Sequence, residues 1–323
     1  LARTKTPTTA AIVGAASLLG RELQDLIRDE KLHWNLRLLS AEAEGAGTLT
    51  AVGEDATYLE PITAEALKQS GVAFLVGTRE SSLRARELHP KGTFIDLTGT
   101  LDAAGAKIAA PRIGVDPSGR LLAIAHPASI ALAFLLTKLE KAGKVERTIA
   151  TILEPASERG HSGIGELQKQ SAALLTFQPL PKDVYDAQLA FNVLPEFGED
   201  APLQLALIED RIHRDLARLR DDARASIRLV QAPVFHGYSM LVWVRYATPV
   251  SAIEDVFAGD PLVDFRSEGV EPPTNAGVTQ QDGYQIGSIR RDRADANAFW
   301  VWVTFDNLRT AASNALAAAK QIL

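Results

Sequence analysis

At 323 residues, 46% of them hydrophobic and 23% charged, the chain is long enough for two hydrophobic cores and has the composition of an ordinary globular protein. Its net charge of −6 excludes a basic surface of the kind that binds nucleic acid or an anionic membrane. Cysteine is absent, which excludes disulfides, thiolate metal ligands and a cysteine nucleophile, and the six His residues show no metal-ligand spacing, so no metal is expected.

No apolar run approaches the ~20 residues of a membrane span, and the opening LARTKTPTT has no apolar signal segment, so a cytoplasmic protein is expected. Thr9 to Gly14 reads as a short buried strand running into Gly14-Ala-Ala-Ser-Leu-Leu-Gly20 and a helix over Arg21 to Arg28. Strand, glycine-bearing turn and helix form the opening of a dinucleotide-binding βαβ unit, in which backbone N–H groups and a helix N-terminus meet a pyrophosphate. The candidate cofactor contacts are Gly14, Ala15, Ser17, Leu18, Leu19 and Gly20. Ser17 holds the middle small position, where glycine would allow the closest approach, and a purely structural β–α turn is the other reading. The next strand is Leu36 to Leu39, followed by an acidic loop. There a carboxylate at Glu42 or Glu44 suits a free ribose 2′-OH and repels a 2′-phosphate, unless the loop is simply solvated. Strands over Val72 to Val76 and Thr93 to Leu97, with a helix over Ser81 to Leu88 between them, imply a mainly parallel sheet covered on both faces.

Leu121 to Ala125 reads as a strand that turns at His126-Pro127 into a helix opening at Ser129 and closing at Gly143. Ser129 stands where an N-cap belongs, and equally where an α/β enzyme holds a nucleophile. Beyond it the pattern changes. Val145 to Leu153 is a long strand, the next loop leads into a helix, and Pro202 to Arg224 is a charged amphipathic helix. Ser226 to Pro233 and Tyr238 to Tyr246 are long strands of antiparallel character, Phe299 to Phe305 is another, and Asn307 to Ile322 is an Ala-rich final helix suited to packing back on the first domain. The expected fold class is therefore α/β. A Rossmann-like NAD(P)-binding domain spans residues 1–127 plus 306–323, and an α+β domain spans 128–305 with one sheet face on a partner.

The turn GAASLLG, the strand-turn AHPAS, the segments AFNVLPEFGE and APVFHGYS, and the tail IGSIRRD…FWVWVTFDNLRTAASNA occur in one order along nearly the whole chain. Together they resemble the aspartate-semialdehyde dehydrogenase family, and among its members the USG-1-type paralogues. The resemblance implies a homodimer of two-domain subunits and a link to the aspartate-derived amino acids. It also implies NADP-dependent reduction of an acyl phosphate to a semialdehyde through a Cys thiolate and a His base. Here the family's Asn-Pro-Asn-Cys turn reads His126-Pro127-Ala128-Ser129, and its Gly-His-Ser triplet reads Gly237-Tyr238-Ser239. A Ser hydroxyl needs a strong adjacent base, and a Tyr of ordinary pKa cannot supply one at neutral pH. The family Gln that positions substrate falls on Glu154, the carboxylate-binding Arg on Gln231 and the phosphate-binding Arg on Asp102. The Lys and Glu of the amphipathic helix become Arg211 and Asp215, and the Arg expected near a 2′-phosphate is missing from SAEAEGAG. Neither a Gln nor an added carboxylate replaces a guanidinium that binds an anion.

Three functional readings follow. The first is a dimeric scaffold that retains a NAD or NADP site and lacks the family reaction. The second is rebuilt chemistry. In one form Ser129 is activated by His236, two residues before Tyr238 and so on the same side of an extended strand, with Glu154 orienting the ring, in an esterase-like arrangement. Hydride transfer without a nucleophile is the other form, and a structurally satisfied His236 is the plain alternative to both. The third reading pairs the chain with an active paralogue or another protein.

Overall fold

The computed structural model describes residues 8–41, 49–52, 55–116, 118–223 and 225–323. The chain divides into two compact units, one comprising Leu1–His126 with Ala311–Leu323 and the other Pro127–Thr310.

The first unit holds β1 (Thr9–Val13), α1 (Leu18–Asp29), β2 (Asn35–Leu39), the hairpin strands β3 (Leu49–Val52) and β4 (Asp55–Tyr58), and α2 (Ala64–Lys68). These are followed by β5 (Val72–Leu75), α3 (Arg79–Leu88), β6 (Phe94–Asp96), β7 (Lys107–Ala109) and β8 (Leu121–Ile124). Six strands pair in the order β2-β1-β5-β6-β8-β7, and every pairing is parallel. Such a sheet is buried on both faces, and accordingly β1 and β5 read as continuous apolar runs that are almost wholly buried. The helices start where short hydroxyl side chains replace missing intrahelical partners. Ser17, Thr63 and Thr78 each accept a backbone N–H, from Gly20, Ala66 and Ser81 respectively. Strand order reverses at β1, with β2 on one side and β5 on the other, and this switch point is where such sheets open a ligand crevice.

The second unit holds α4 (Pro127–Leu139), β9 (Val145–Glu154), α5 (Gly160–Leu175), α6 (Leu205–Leu219), β10 (Ala225–Gln231) and β11 (Tyr238–Tyr246). It continues with β12 (Val263–Arg266), β13 (Tyr284–Arg291), β14 (Ala298–Phe305) and the start of α7 (Asn307–Ile322). Its sheet runs β10-β9-β11-β14-β13-β12. The expected antiparallel character of the strand after Ser226 is corrected here: β10 pairs with β9 in parallel, Gln231 opposite Glu154, while β11 is antiparallel to both β9 and β14. The long connection through α5 and α6 allows the parallel return. One face of this sheet is core, with Met240, Val242, Val244, Val301, Val303 and Phe305 buried. The other face brings Ile149, Trp243 and Trp300 into one row and Thr151, Leu241 and Trp302 into the next. Ile149 remains 41% exposed and Trp300 36%.

The helix expected to open at Ser129 begins instead at Pro127, because proline's fixed φ and missing N–H suit the first helical position. Ser129 therefore lies inside the first turn and is not its cap. Almost every residue of α4 is buried, as its all-round apolar sequence requires. The amphipathic helix expected over 202–224 is the shorter α6, with Gln204 at its N-cap and Arg220 at its C-cap.

Candidate functional site

In the first unit the turn after β1 is built for close backbone approach. Gly14 has φ +91°, and a Cβ there would lie 2.4 Å from the Cα of Gly77, which follows β5. The N–H groups of Gly14 and Ala15 both donate to the Leu39 carbonyl, and the buried Gln24 side chain donates to the Ala15 carbonyl, which fixes the turn. Ser17 is turned inward: its hydroxyl accepts from Gly20 N–H at 3.0 Å and donates to the Val76 carbonyl at 2.9 Å. The hydroxyl is thus spent within the fold and does not project from the turn. Leu18 and Leu19 open α1, whose first N–H groups face outward as at any helix start, and Gly20 packs against the Gly14 carbonyl. Glu42 and Glu44 lie outside the described residues. Asp102 opens a 3₁₀ turn after a loop wound by the buried Asp96 carboxylate, which accepts from Thr98 N–H at 2.8 Å and Leu101 N–H at 2.7 Å.

The second unit brings most of the remaining candidates into it, but not as one constellation. Ser129 is fully buried, and its hydroxyl donates to the Ile212 carbonyl of α6 at 2.9 Å. Glu154, at the end of β9, is also fully buried. Arg159 Nη2 donates to its Oε1 at 2.9 Å and the Tyr238 hydroxyl lies 3.2 Å from its Oε2. Burial, reinforced by the charge of Glu158, pushes the Glu154 carboxyl up to about 7 against the opposing pull of Arg159 and the Tyr238 hydrogen bond. Tyr238, stacked on Phe305 with ring centroids 5.2 Å apart, is held well above the usual tyrosine range by burial and by the charges of Glu154 and Glu158. A hydroxyl so held donates a hydrogen bond and does not take up protons. Gln231 Nε2 donates to the carbonyls of Glu154 at 2.8 Å and Ala232 at 3.2 Å, which makes this side chain a backbone brace. Arg211 and Asp215 face each other along α6, Nε to Oδ2 at 3.5 Å, with Arg218 at 3.8 Å from Oδ1.

The Ser129–His236–Glu154 arrangement is not formed. His236 does not share a strand side with Tyr238, because Gly237 takes φ +80° just before β11 begins and breaks the two-residue alternation. Nε2 of His236 lies 2.8 Å from Asp306 Oδ2 and Nδ1 lies 3.1 Å from Ser157 Oγ, so Asp306, and not Glu154, orients the ring. Sequence reasoning passed over Arg159, Ser157 and Asp306. The signal for Arg159 was present in the charged pair Glu158-Arg159 set between Ser157 and Gly160, where a strand enters a helix. Among the described residues no group of three or more His, Asp or Glu could hold a metal ion.

Residues 136–310 match the family described as "Semialdehyde dehydrogenase, dimerisation domain". The chain belongs to the semialdehyde dehydrogenase family. A USG-1 protein homolog of Pseudomonas aeruginosa is 29% identical over 320 residues, which is 95% of each chain. The solved structure of a probable aspartate-semialdehyde dehydrogenase from Pseudomonas aeruginosa superposes with a TM-score of 0.87 at 27% identity over 98% of both chains. The fold is also that of aspartate semialdehyde dehydrogenase with NADP from Candida albicans, with a TM-score of 0.71 at 12% identity over 98% of each chain. Ser129, Tyr238 and Glu154 are each engaged in a buried bond within the second unit.

Proposed function

We propose that this chain is a homodimeric, dinucleotide-binding member of the semialdehyde dehydrogenase family that does not carry out the family's reduction of acyl phosphates. The observation that carries this reading is the closed bonding of the reaction centre. Ser129 donates its proton to the Ile212 carbonyl, and Tyr238, where a base is required, donates to Glu154. With its proton given to a backbone carbonyl, Ser129 is not set against a base, and losing a nucleophile or its base removes several orders of magnitude in rate. The guanidinium absent at Gln231 is not replaced for an anionic substrate either, since Arg159 is turned onto the buried Glu154, Nη2 to Oε1 at 2.9 Å.

Dinucleotide binding is supported by the Gly14–Gly77 approach at the strand-order switch point and by the inward-turned Ser17. A bound nicotinamide would supply hydride chemistry, while the chain's own contribution is the phosphate cradle of the turn and the start of α1. Dimerisation is supported by the open sheet face carrying Ile149, Trp243 and Trp300, an apolar row that a second copy would cover.

Titration with NADH and NADPH, followed by nicotinamide fluorescence, tests the binding half of the proposal. Incubation with aspartate semialdehyde, phosphate and either oxidised cofactor tests the other half. Micromolar binding of one cofactor with no turnover is the expected result. Turnover at family-like rates would overturn the loss of the reaction, and no binding up to millimolar cofactor would overturn the retained dinucleotide site.

A further inference from the structure

His236 is bound from both sides by residues that the family resemblance assigns no role. Ser157, His236 and Asp306 have the composition of a hydrolytic relay. The surrounding bonds place the protons differently. The Glu158 carboxylate can only accept, so the Asn307 group lying 2.9 Å from its Oε1 is the amide nitrogen Nδ2. Asn307 Oδ1 therefore faces Ser157 Oγ at 3.2 Å, and this buried acceptor takes the single Ser157 proton. Ser157 is left as an acceptor towards His236, which makes Nδ1 a donor. On the other side, Asp306 is an ionised acceptor. Its Oδ1 accepts the Arg309 N–H at 2.9 Å and its Oδ2 the Gln280 N–H at 2.8 Å, an acceptor role on both oxygens that needs no charge on the ring. Nε2 is then a donor as well. An imidazole that donates from both nitrogens is an imidazolium.

We infer that His236 is a protonation-dependent clasp, which as an imidazolium ties the turn before β11 to the start of α7 and on losing its proton releases the first turn of that helix. A neutral ring donates from only one nitrogen. Keeping the bond to Asp306 leaves a lone pair on Nδ1, which either faces the oxygen of Ser157 or draws the Ser157 proton away from Asn307 Oδ1 on α7, and keeping the Nδ1 donation to Ser157 would set the lone pair of Nε2 against the carboxylate. The location gives the clasp a consequence, because α7 is one of the two stretches where the chain passes from one unit to the other, the second being His126–Pro127. The charged group on the ring is Asp306, which precedes α7 and also accepts the Arg309 N–H; Glu158, on the turn before α5, accepts from Asn307 and has Arg159 beside it in sequence, while Asn275 donates to the His236 carbonyl at 3.1 Å.

Hydrogen exchange of the 307–310 amides in the full chain, corrected for intrinsic rates, tests this alongside ¹⁵N imidazole spectra. Between about pH 6 and about pH 8.5, protection of that turn is expected to fall about tenfold or more, the scale of one charge-assisted bond. At the acid end the His236 ring should show two N–H groups. Glu154 titrates in the same range, so the change must persist in Glu154→Gln and vanish in His236→Gln. A ring carrying a single N–H at about pH 6, protection that does not change with pH, or a change that disappears in Glu154→Gln would each overturn the clasp. If His236→Gln does not fold, the wild-type ring spectra and the Glu154→Gln comparison still decide the matter.

Discussion

Replacing Glu154 by Gln should flatten the pH dependence of stability of the second unit. The carboxyl is fully buried and rises from 4.5 to about 7 on folding, burial being the main cause. The folded state therefore holds the proton more tightly than the unfolded chain. Stability from this group is full below about pH 4.5, is lost as pH rises towards 7, and stays flat above. At about 1.4 kcal/mol per pH unit, the whole window is worth about 3 kcal/mol. An amide imitates the protonated carboxyl, accepting from Arg159 and meeting Tyr238 without a charge to desolvate. The variant should match the wild type within about 1 kcal/mol near pH 5 and gain about 2–3 kcal/mol on it by pH 8.5. Urea unfolding followed by tryptophan fluorescence suits the measurement, because Trp243, Trp300 and Trp302 all lie in the second unit and only Trp34 lies in the first. Parallel curves would refute the reasoning. A variant that loses ground to the wild type as pH rises would show that Arg159 stabilises the ionised carboxylate more than burial penalises it.

Trp300→Glu places a charge at the exposed end of the Ile149–Trp243–Trp300 row, and it should convert a dimer to a monomer by light scattering while the circular dichroism spectrum is retained. An unchanged mass would remove that face from the dimer. Gly14→Ala adds a Cβ 2.4 Å from the Gly77 Cα at φ +91°. It should cost roughly 1–2 kcal/mol in backbone strain alone and abolish NADH and NADPH binding, and a variant that binds either cofactor normally would contradict the cradle.

The architecture was legible where a local pattern needs nothing but itself. Gly14 before a capped helix, the alternation of Tyr238 to Tyr246 and the Ala-rich run from Asn307 to Ile322 each encode their element within the segment, and the last two were bounded as found. The strands β3, β4, β7, β12 and β13 were not read: four of them are segments of three or four residues, and β13, though eight residues long, has no strict alternation, so each draws its structure from its neighbours. The site divides in the same way. The absence of cysteine, and the presence of Ser129 after His126-Pro127-Ala128 and of Tyr238 between Gly237 and Ser239, are properties of the chain itself, fixed before it folds. What those residues do instead depends on partners far away in sequence. The Ser129 hydroxyl is claimed by a carbonyl 83 residues away, and His236 is drawn to Ser157 and Asp306 because a single left-handed glycine redirects the strand. Composition and motif thus settled the fold class and the absence of a thiol. The tertiary structure decided which buried polar groups satisfy one another, since a hydrogen bond across the fold leaves no periodic trace in the chain.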